Sequence, residues 1–534
     1  MGVRLRFFGV ARALAFSLST CGTAPATQGP SGDGGAPHGP LIDPRLIAPD
    51  AGERPATTDA GEPTRDPVNG LRIYQIMVEA FQDGDPARGF GTGYGSSVHL
   101  GDLKGVTRAL PYIASLGVNA IWLTPIFDSE GSSALDATGY FARNYFAIDP
   151  HFGTFDDARE LVDAAHALGL YVFFDGVFGH HKSGVRAAPS GALPLGRDNP
   201  VSYPGSLPFY KEVATYWIDA LEIDGWRLDQ AYQVPPEAWR EIRTAVEAKC
   251  AERRAAAKRW GTLGYMVAEV WKGAREIARA AYGTRDAPAL LSAFDFPLRD
   301  ALVEVLATLE DGTRGKPASA LNAALAEAAA TYPAHARPNL MLTNHDTVRF
   351  GDLIQRAGFG GKETSDYWKR HKAAFSFLAA HTGPITIYYG DEIGDEVPDF
   401  AAQVSGNCVR RGLCDDHVSR TSGQVSGFDA RQTDLKDALS ALLRLRDAHP
   451  ALAHGARTNL VATDTVFADL KSFAGERIVY ALNVATAPTS IQFSRAPGSR
   501  ARLRDLIDGT VFIGADNRIT VSLDALGFRL LRVE

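Results

Sequence analysis

The heptapeptide Gly225-Trp226-Arg227-Leu228-Asp229-Gln230-Ala231 puts an arginine and an aspartate two positions apart, at the end of an apolar run that begins at Ile223. On a β-strand residues i and i+2 point to the same face, so Arg227 and Asp229 would share one wall of whatever cavity the strand borders. A carboxylate beside a permanent cation stays ionised at neutral pH, the state a nucleophile needs. A structural ion pair at a strand end would look the same in isolation. The company these residues keep separates the two readings. Glu269 in Val267-Ala268-Glu269-Val270-Trp271, Asp346 in Thr343-Asn344-His345-Asp346, and Asp175 at the head of Asp175-Gly176-Val177-Phe178-Gly179-His180-His181 also follow short apolar runs. If those ends meet, acids, an arginine and histidines surround one cleft, equipped for nucleophilic and acid–base chemistry.

The elements that must bring them together are eight short apolar stretches: Leu71 to Val78, Val118 to Leu123, Leu170 to Phe174, Ile223 to Leu228, Tyr265 to Val270, Leu291 to Phe296, Leu340 to Thr343 and Ile385 to Tyr389. Near-continuous apolar runs are the signature of buried parallel strands. Helical periodicity fills the gaps, as in Tyr210, Val213, Ala214, Trp217, Ile218 and Leu221 before the fourth run. Eight such alternations predict an α/β fold, a (β/α)8 TIM barrel, over an open doubly wound sheet. In a barrel the chemistry sits at the C-terminal strand ends, where Asp229, Glu269 and Asp346 fall. After Leu442-Leu443-Arg444-Leu445-Arg446, a closing helix, short apolar and polar residues alternate between Gly, Asp and Asn turns. That pattern predicts a C-terminal antiparallel β-sandwich. The reading divides the chain into an export signal over residues 1–21, a Gly/Pro-rich linker over 22–67, a catalytic barrel over 68–450 and the β domain over 451–534.

The N-terminal assignment rests on Arg4, Arg6 and Arg12 ahead of a short apolar run through Leu14, Ala15, Phe16 and Leu18. Leu18-Ser19-Thr20-Cys21 resembles a bacterial lipoprotein cleavage box, with Cys21 as lipid acceptor; plain secretion is the other reading. Either way the protein is expected to be exported, as a periplasmic or outer-membrane lipoprotein or a secreted monomer. The linker holds few large apolar residues and is expected to be a flexible tether. Cys408 and Cys414, six apart in a polar stretch, could close a small disulfide, while Cys250 sits in a helical pattern as a free thiol. A net charge of -7 argues against nucleic acid as a partner. No apolar stretch reaches the roughly 18 residues of a transmembrane helix. Gly358-Phe359-Gly360-Gly361-Lys362 lacks the strand and hydroxyl residue of a phosphate loop.

In these segments the chain resembles the α-amylase family of retaining α-glycoside hydrolases and transglycosidases, glycoside hydrolase family 13. Asp175 to His180 matches the first signature segment, Gly225 to Asp229 the second, Glu269-Val270-Trp271 the third and Asn344-His345-Asp346 the fourth. Leu116 to Pro125, Thr138-Gly139-Tyr140 and Ile387 to Glu392 add support, and the resemblance runs from about Leu71 to the C-terminus. It implies that Asp229 is the nucleophile, that Glu269 is the general acid and base with a pKa raised by burial, and that Asp346 holds the distorted sugar. It further implies that Arg227 ionises Asp229, that His180 and His345 bond hydroxyls of the sugar at the cleavage point, and that Tyr140 forms a platform beneath it. Asp175 is expected to brace the barrel mouth. The implied substrate is starch or malto-oligosaccharide, cleaved at α-1,4 bonds with retention; a transglycosidase and a catalytically silent sugar-binding homologue are the alternatives.

Departures from the family pattern matter too. Gly179 replaces an Asn, and Tyr232-Gln233 replace a Lys-His pair. The family's structural calcium uses the Asn and His positions, so that site is expected to be missing. The segment 182–208 is short and Pro/Gly-rich, which predicts a reduced inserted domain after strand three. Phe81 to Pro86 with Gly101-Asp102-Leu103 resembles a first-loop calcium site, with Asp83, Asp85 and Asp102 as candidate ligands for Ca2+. A solvated acidic turn is the competing reading.

Overall fold

The computed structural model describes residues 41–42, 65–412, 414–494, 501–514 and 517–534. The expected export signal and Cys21 lie outside the described residues, as does most of the expected tether.

All eight apolar runs become strands: β1 Arg72–Ile76, β2 Ala120–Leu123, β3 Tyr171–Gly176, β4 Gly225–Leu228, β5 Tyr265–Ala268, β6 Ser292–Phe294, β7 Arg337–Met341 and β8 Ile385–Tyr388. They close into a barrel in sequence order, each parallel to the next, with β8 paired back to β1. Period two sorts their side chains. Ile73, Trp122, Phe173, Val267, Phe294 and Met341 pack together as one apolar cluster. Their neighbours Tyr74, Leu123, Phe174, Trp226 and Ala268 belong instead to the large cluster shared with the helices. The helix Leu207–Leu221 buries all six positions of its predicted stripe. Most of the strands are shorter than the apolar runs that predict them, and at β6 the cause is plain: Asp295 caps the helix Phe296–Leu306 by accepting from the Leu298 amide, so the run turns helical where an apolar strand was anticipated.

Between β3 and the helix Leu207–Leu221 the chain runs as loop, apart from one bridge between Gly196 and Val201. Beyond the helices Ala430–Ala448 and Pro450–His454 lies a sandwich. Its larger sheet has six antiparallel strands, with Phe528–Val533 running between Glu476–Asn483 and Arg502–Asp505. The smaller sheet pairs Thr489–Ser494 with Arg518–Leu523. Val479, Leu470 and Leu531 from the first sheet share a core with Ile491, Phe493 and Val521 from the second.

Two local readings need correction. Leu41–Ile42, inside the expected tether, is a short strand pairing in parallel with Thr489–Ser494, and Ile42 is buried in the sandwich core. Cys408 and Cys414 do form a disulfide, but the polar stretch that holds them, expected to be a loop, begins as helix: Cys408 belongs to Phe400–Arg411. Cys250 is free and buried. Among the described residues, no helix is long and apolar enough to cross a membrane.

Candidate active site

The alternation that fills the barrel with apolar groups turns polar at its C-terminal rim. Two residues beyond Ile73, Phe173 and Val267 stand Gln75, Asp175 and Glu269, and two beyond Arg227 stands Asp229. The register aligns Asp175 with Arg227, and Arg227 with Val267, on neighbouring strands. Strand geometry alone therefore brings these groups to one mouth.

Arg227 is the hub. Its Nη1 donates to Asp175 Oδ1 at 2.9 Å, to Asp175 Oδ2 at 3.0 Å and to Asp229 Oδ1 at 3.0 Å. Its Nη2 lies 2.9 Å from Glu269 Oε1 as an ion pair. The guanidinium is buried and lies over the ring of Trp122, 5.1 Å from its centroid. A charge so removed from water persists only with its partners in place. Asp175 is fully occupied as a brace, also accepting from Trp122 Nε1 at 3.1 Å and Tyr140 Oη at 2.9 Å. Glu269 Oε2 accepts from the Gln230 amide at 3.0 Å, whereas Asp229 Oδ2 has no hydrogen-bond partner among the described residues.

Burial pushes the carboxyls of Asp229 and Glu269 each up to about 7; Arg227 pulls them down and the neighbouring acids, Asp346 included, push them further up. The simple expectation that Arg227 keeps Asp229 ionised therefore needs revision, because one guanidinium is divided among three buried carboxyls. Interacting acids lose protons in steps that belong to the pair. Burial and mutual repulsion between neighbouring acids favour a pair of one carboxylate and one carboxylic acid over two carboxylates.

Asp346 joins this cluster through a chain of hydrogen bonds. Gln75 Nε2 donates to His345 Nδ1 at 2.7 Å, which leaves the ring proton on Nε2, 2.7 Å from Tyr140 Oη and 3.2 Å from Asp346 Oδ2. Tyr140 Oη in turn reaches Asp175. Asp346 Oδ1 accepts from Arg420 Nη2 at 2.8 Å and lies 3.0 Å from His417 Nε2. Burial pushes the Asp346 carboxyl up, but His345, His417 and Arg420 hold it well below the usual carboxylate range.

The expected sugar contacts sit at different depths. Tyr140 stacks on His345, with centroids 5.5 Å apart. His180 lies 3.0 Å from Gln233 Oε1 through Nδ1 and 3.2 Å from the Tyr140 carbonyl through Nε2. Both rings are buried with their nitrogens engaged, so a sugar hydroxyl reaching either would have to share an existing bond. Two aromatic residues flanking the acids are far more open: Tyr232 is 50% exposed and Trp271 43%. The sequence reading missed His417, Arg420 and Gln75. A dense group of charges, Asp415-Asp416-His417 with Arg420, in the segment after the last barrel strand was the available signal.

The calcium reading does not fit. Asp102 caps the helix Leu103–Ser115, accepting from Gly105 N at 2.7 Å through one oxygen and from Gly84 N and Asp85 N at 3.0 and 2.7 Å through the other. Asp85 pairs with Lys104 at 3.0 Å, and Asp83 is exposed. Asp83, Asp85 and Asp102 form no ligand group: among the described residues only Asp346, Asp416 and His417 bring such atoms within 4.8 Å of one another. There Arg420 and Arg411 already supply the positive charge, each at 2.8 Å from a carboxylate. At the family's other calcium position, a Cβ on Gly179 would lie 2.3 Å from Gln233 Oε1. The Gln233 amide fills that space and bonds Gln230 and Asn199.

Fold and acids together define a β/α-barrel hydrolase of the glycosidase kind. The model of the alpha amylase catalytic domain matches residues 75–188 and 208–435. The chain belongs to the α-amylase family, glycoside hydrolase family 13. A cyclomaltodextrinase of Thermoanaerobacter pseudethanolicus is 27% identical over 474 residues, covering 81% of this chain and 73% of that protein. Neopullulanase 2 of Thermoactinomyces vulgaris is 30% identical over 60% of this chain and 56% of its own. Among solved structures, AmyP in complex with maltose is 50% identical, with a TM-score of 0.83 over 87% of this chain and 97% of that one.

Proposed function

We propose that this glycoside hydrolase cleaves α-1,4-glucosidic bonds in starch and malto-oligosaccharides by a retaining double displacement. One observation carries the reading: the two terminal nitrogens of Arg227 hold Asp229 and Glu269 side by side in the barrel mouth. A retaining enzyme needs two carboxyls about 5–5.5 Å apart, one ionised to attack and one protonated to release the leaving group. Asp229, with an oxygen free of hydrogen bonds, takes the first role. Glu269 takes the second, giving its proton to the glycosidic oxygen and recovering one from the incoming water. Asp346, held anionic, favours the oxocarbenium-like transition state. The maltose complex of AmyP and the cyclomaltodextrinase relatives support an α-glucan substrate. Export is part of the reading, supported by the basic and apolar N-terminal pattern and by a disulfide of the kind that persists in oxidising compartments.

Transfer to a sugar acceptor is the second reading. The open rings of Tyr232 and Trp271 favour it, since an acceptor sugar held there would compete with water. Incubation with soluble starch, maltoheptaose and a cyclomaltodextrin, with products separated by length, tests both. Short maltosaccharides indicate hydrolysis, and chains longer than the substrate indicate transfer. An Asp229→Asn variant as fast as the parent would refute the mechanism.

A further inference from the structure

The segment that follows the helix Phe400–Arg411 reaches back to the acids and is held tightly. The Cys408–Cys414 disulfide ties it to that helix, and Asn407 Nδ2 donates to the carbonyls of Cys414 and Asp416. The next residue, His417, has φ 65°, in the left-handed region. Its Nε2 lies 3.0 Å from Asp346 Oδ1 and 3.0 Å from Asp416 Oδ1. Arg411 anchors Asp416 at 2.8 Å, and Tyr94 packs against the His417 ring, centroids 5.9 Å apart.

Both partners of Nε2 are carboxylates, so that nitrogen carries the proton and donates. Nδ1 is buried without a hydrogen-bond partner, which fits a neutral ring. Burial and the nearby Arg420 also push the ring below its ordinary value. A neutral donor aligns a carboxylate without cancelling its charge, which Asp346 needs if it is to face a developing cation.

We propose that His417 is a positioning residue for Asp346, fixing Oδ1 through Nε2–H so that the carboxylate meets the sugar in the transition state. This rests on the role given to Asp346 above. Positioning of this kind acts on turnover more than on binding, because the gain is realised at the transition state.

The test is steady-state hydrolysis of maltoheptaose by the full chain, its His417→Ala, His417→Gln and Asp346→Asn variants, and the His417→Ala/Asp346→Asn double variant. The expected result is a fall in kcat of roughly 10- to 100-fold for His417→Ala with KM within about twofold. His417→Gln, whose amide N–H can still reach a carboxylate, recovers most of that loss. In the Asp346→Asn background, removing His417 changes kcat by less than about twofold, since its route of action is gone. Full turnover in His417→Ala overturns the proposal. So does an equal loss in both backgrounds, or a glutamine variant as slow as alanine. A parent protein that releases no sugar from any glucan overturns the underlying reading along with this one.

Discussion

A single buried guanidinium has to serve Asp175, Asp229 and Glu269 at once, and that sharing sets the pH behaviour. Glu269 must be protonated to act, and its carboxyl is pushed up to about 7 first by burial and then by Asp229 and Asp346. Activity is therefore expected to fall as pH rises through about 7. Replacing Asp346 by Asn removes a negative charge that favours the protonated form, so the alkaline limb of residual kcat/KM should move to lower pH. A limb that stays put or moves up would contradict this coupling. Arg227→Lys is predicted to lower kcat at least tenfold, roughly, because a point-like ammonium cannot hold two carboxyls in the fork of a guanidinium. Arg227 and Asp229 were readable from their i+2 spacing, and Glu269 and Asp346 from their places after apolar runs and within the family's signature segments. The raised pKa of Glu269 was expected as well; that of Asp229 was not, because burial depth is a property of the whole barrel mouth. His417 escaped for a related reason: only the folded-back segment after β8 brings it to Asp346.

At the level of elements, the barrel strands were legible because burial on both faces demands continuous apolar runs. The loop before the helix Leu103–Ser115 was misread, although Asp102 directly precedes an apolar-periodic stretch, which is an N-cap signal in its own right. An N-cap and a metal ligand ask for the same carboxylate in the same kind of turn. Only the backbone N–H groups of Gly84, Asp85 and Gly105 decide between them. Asp102→Ala should destabilise the protein by about 1–2 kcal/mol through loss of the cap, seen as a lower melting temperature. A chelator should leave the parent's melting temperature unchanged; a drop of several degrees would restore the calcium reading.

For the molecule as a whole, the alternating pattern after residue 451 announced a sandwich, but not that Leu41–Ile42 would enter it. Two apolar residues in a Gly/Pro-rich stretch carry no periodicity, and their partner strand lies far along the sequence. Ile42→Ala is predicted to cost roughly 2 kcal/mol by leaving a cavity between the sheets, measured as a lower denaturant midpoint with the kcat of the barrel untouched.

Phe528–Val533 lies inside the larger sheet and not at its margin. A ribosome must therefore pass Val533 before Glu476–Asn483 and Arg502–Asp505 have anything to lie between them. A nonsense codon ahead of Phe528 would leave both strands with bare edges, and bare edges recruit one another across molecules. Such a truncation should yield insoluble inclusion bodies, not a trimmed protein that still works.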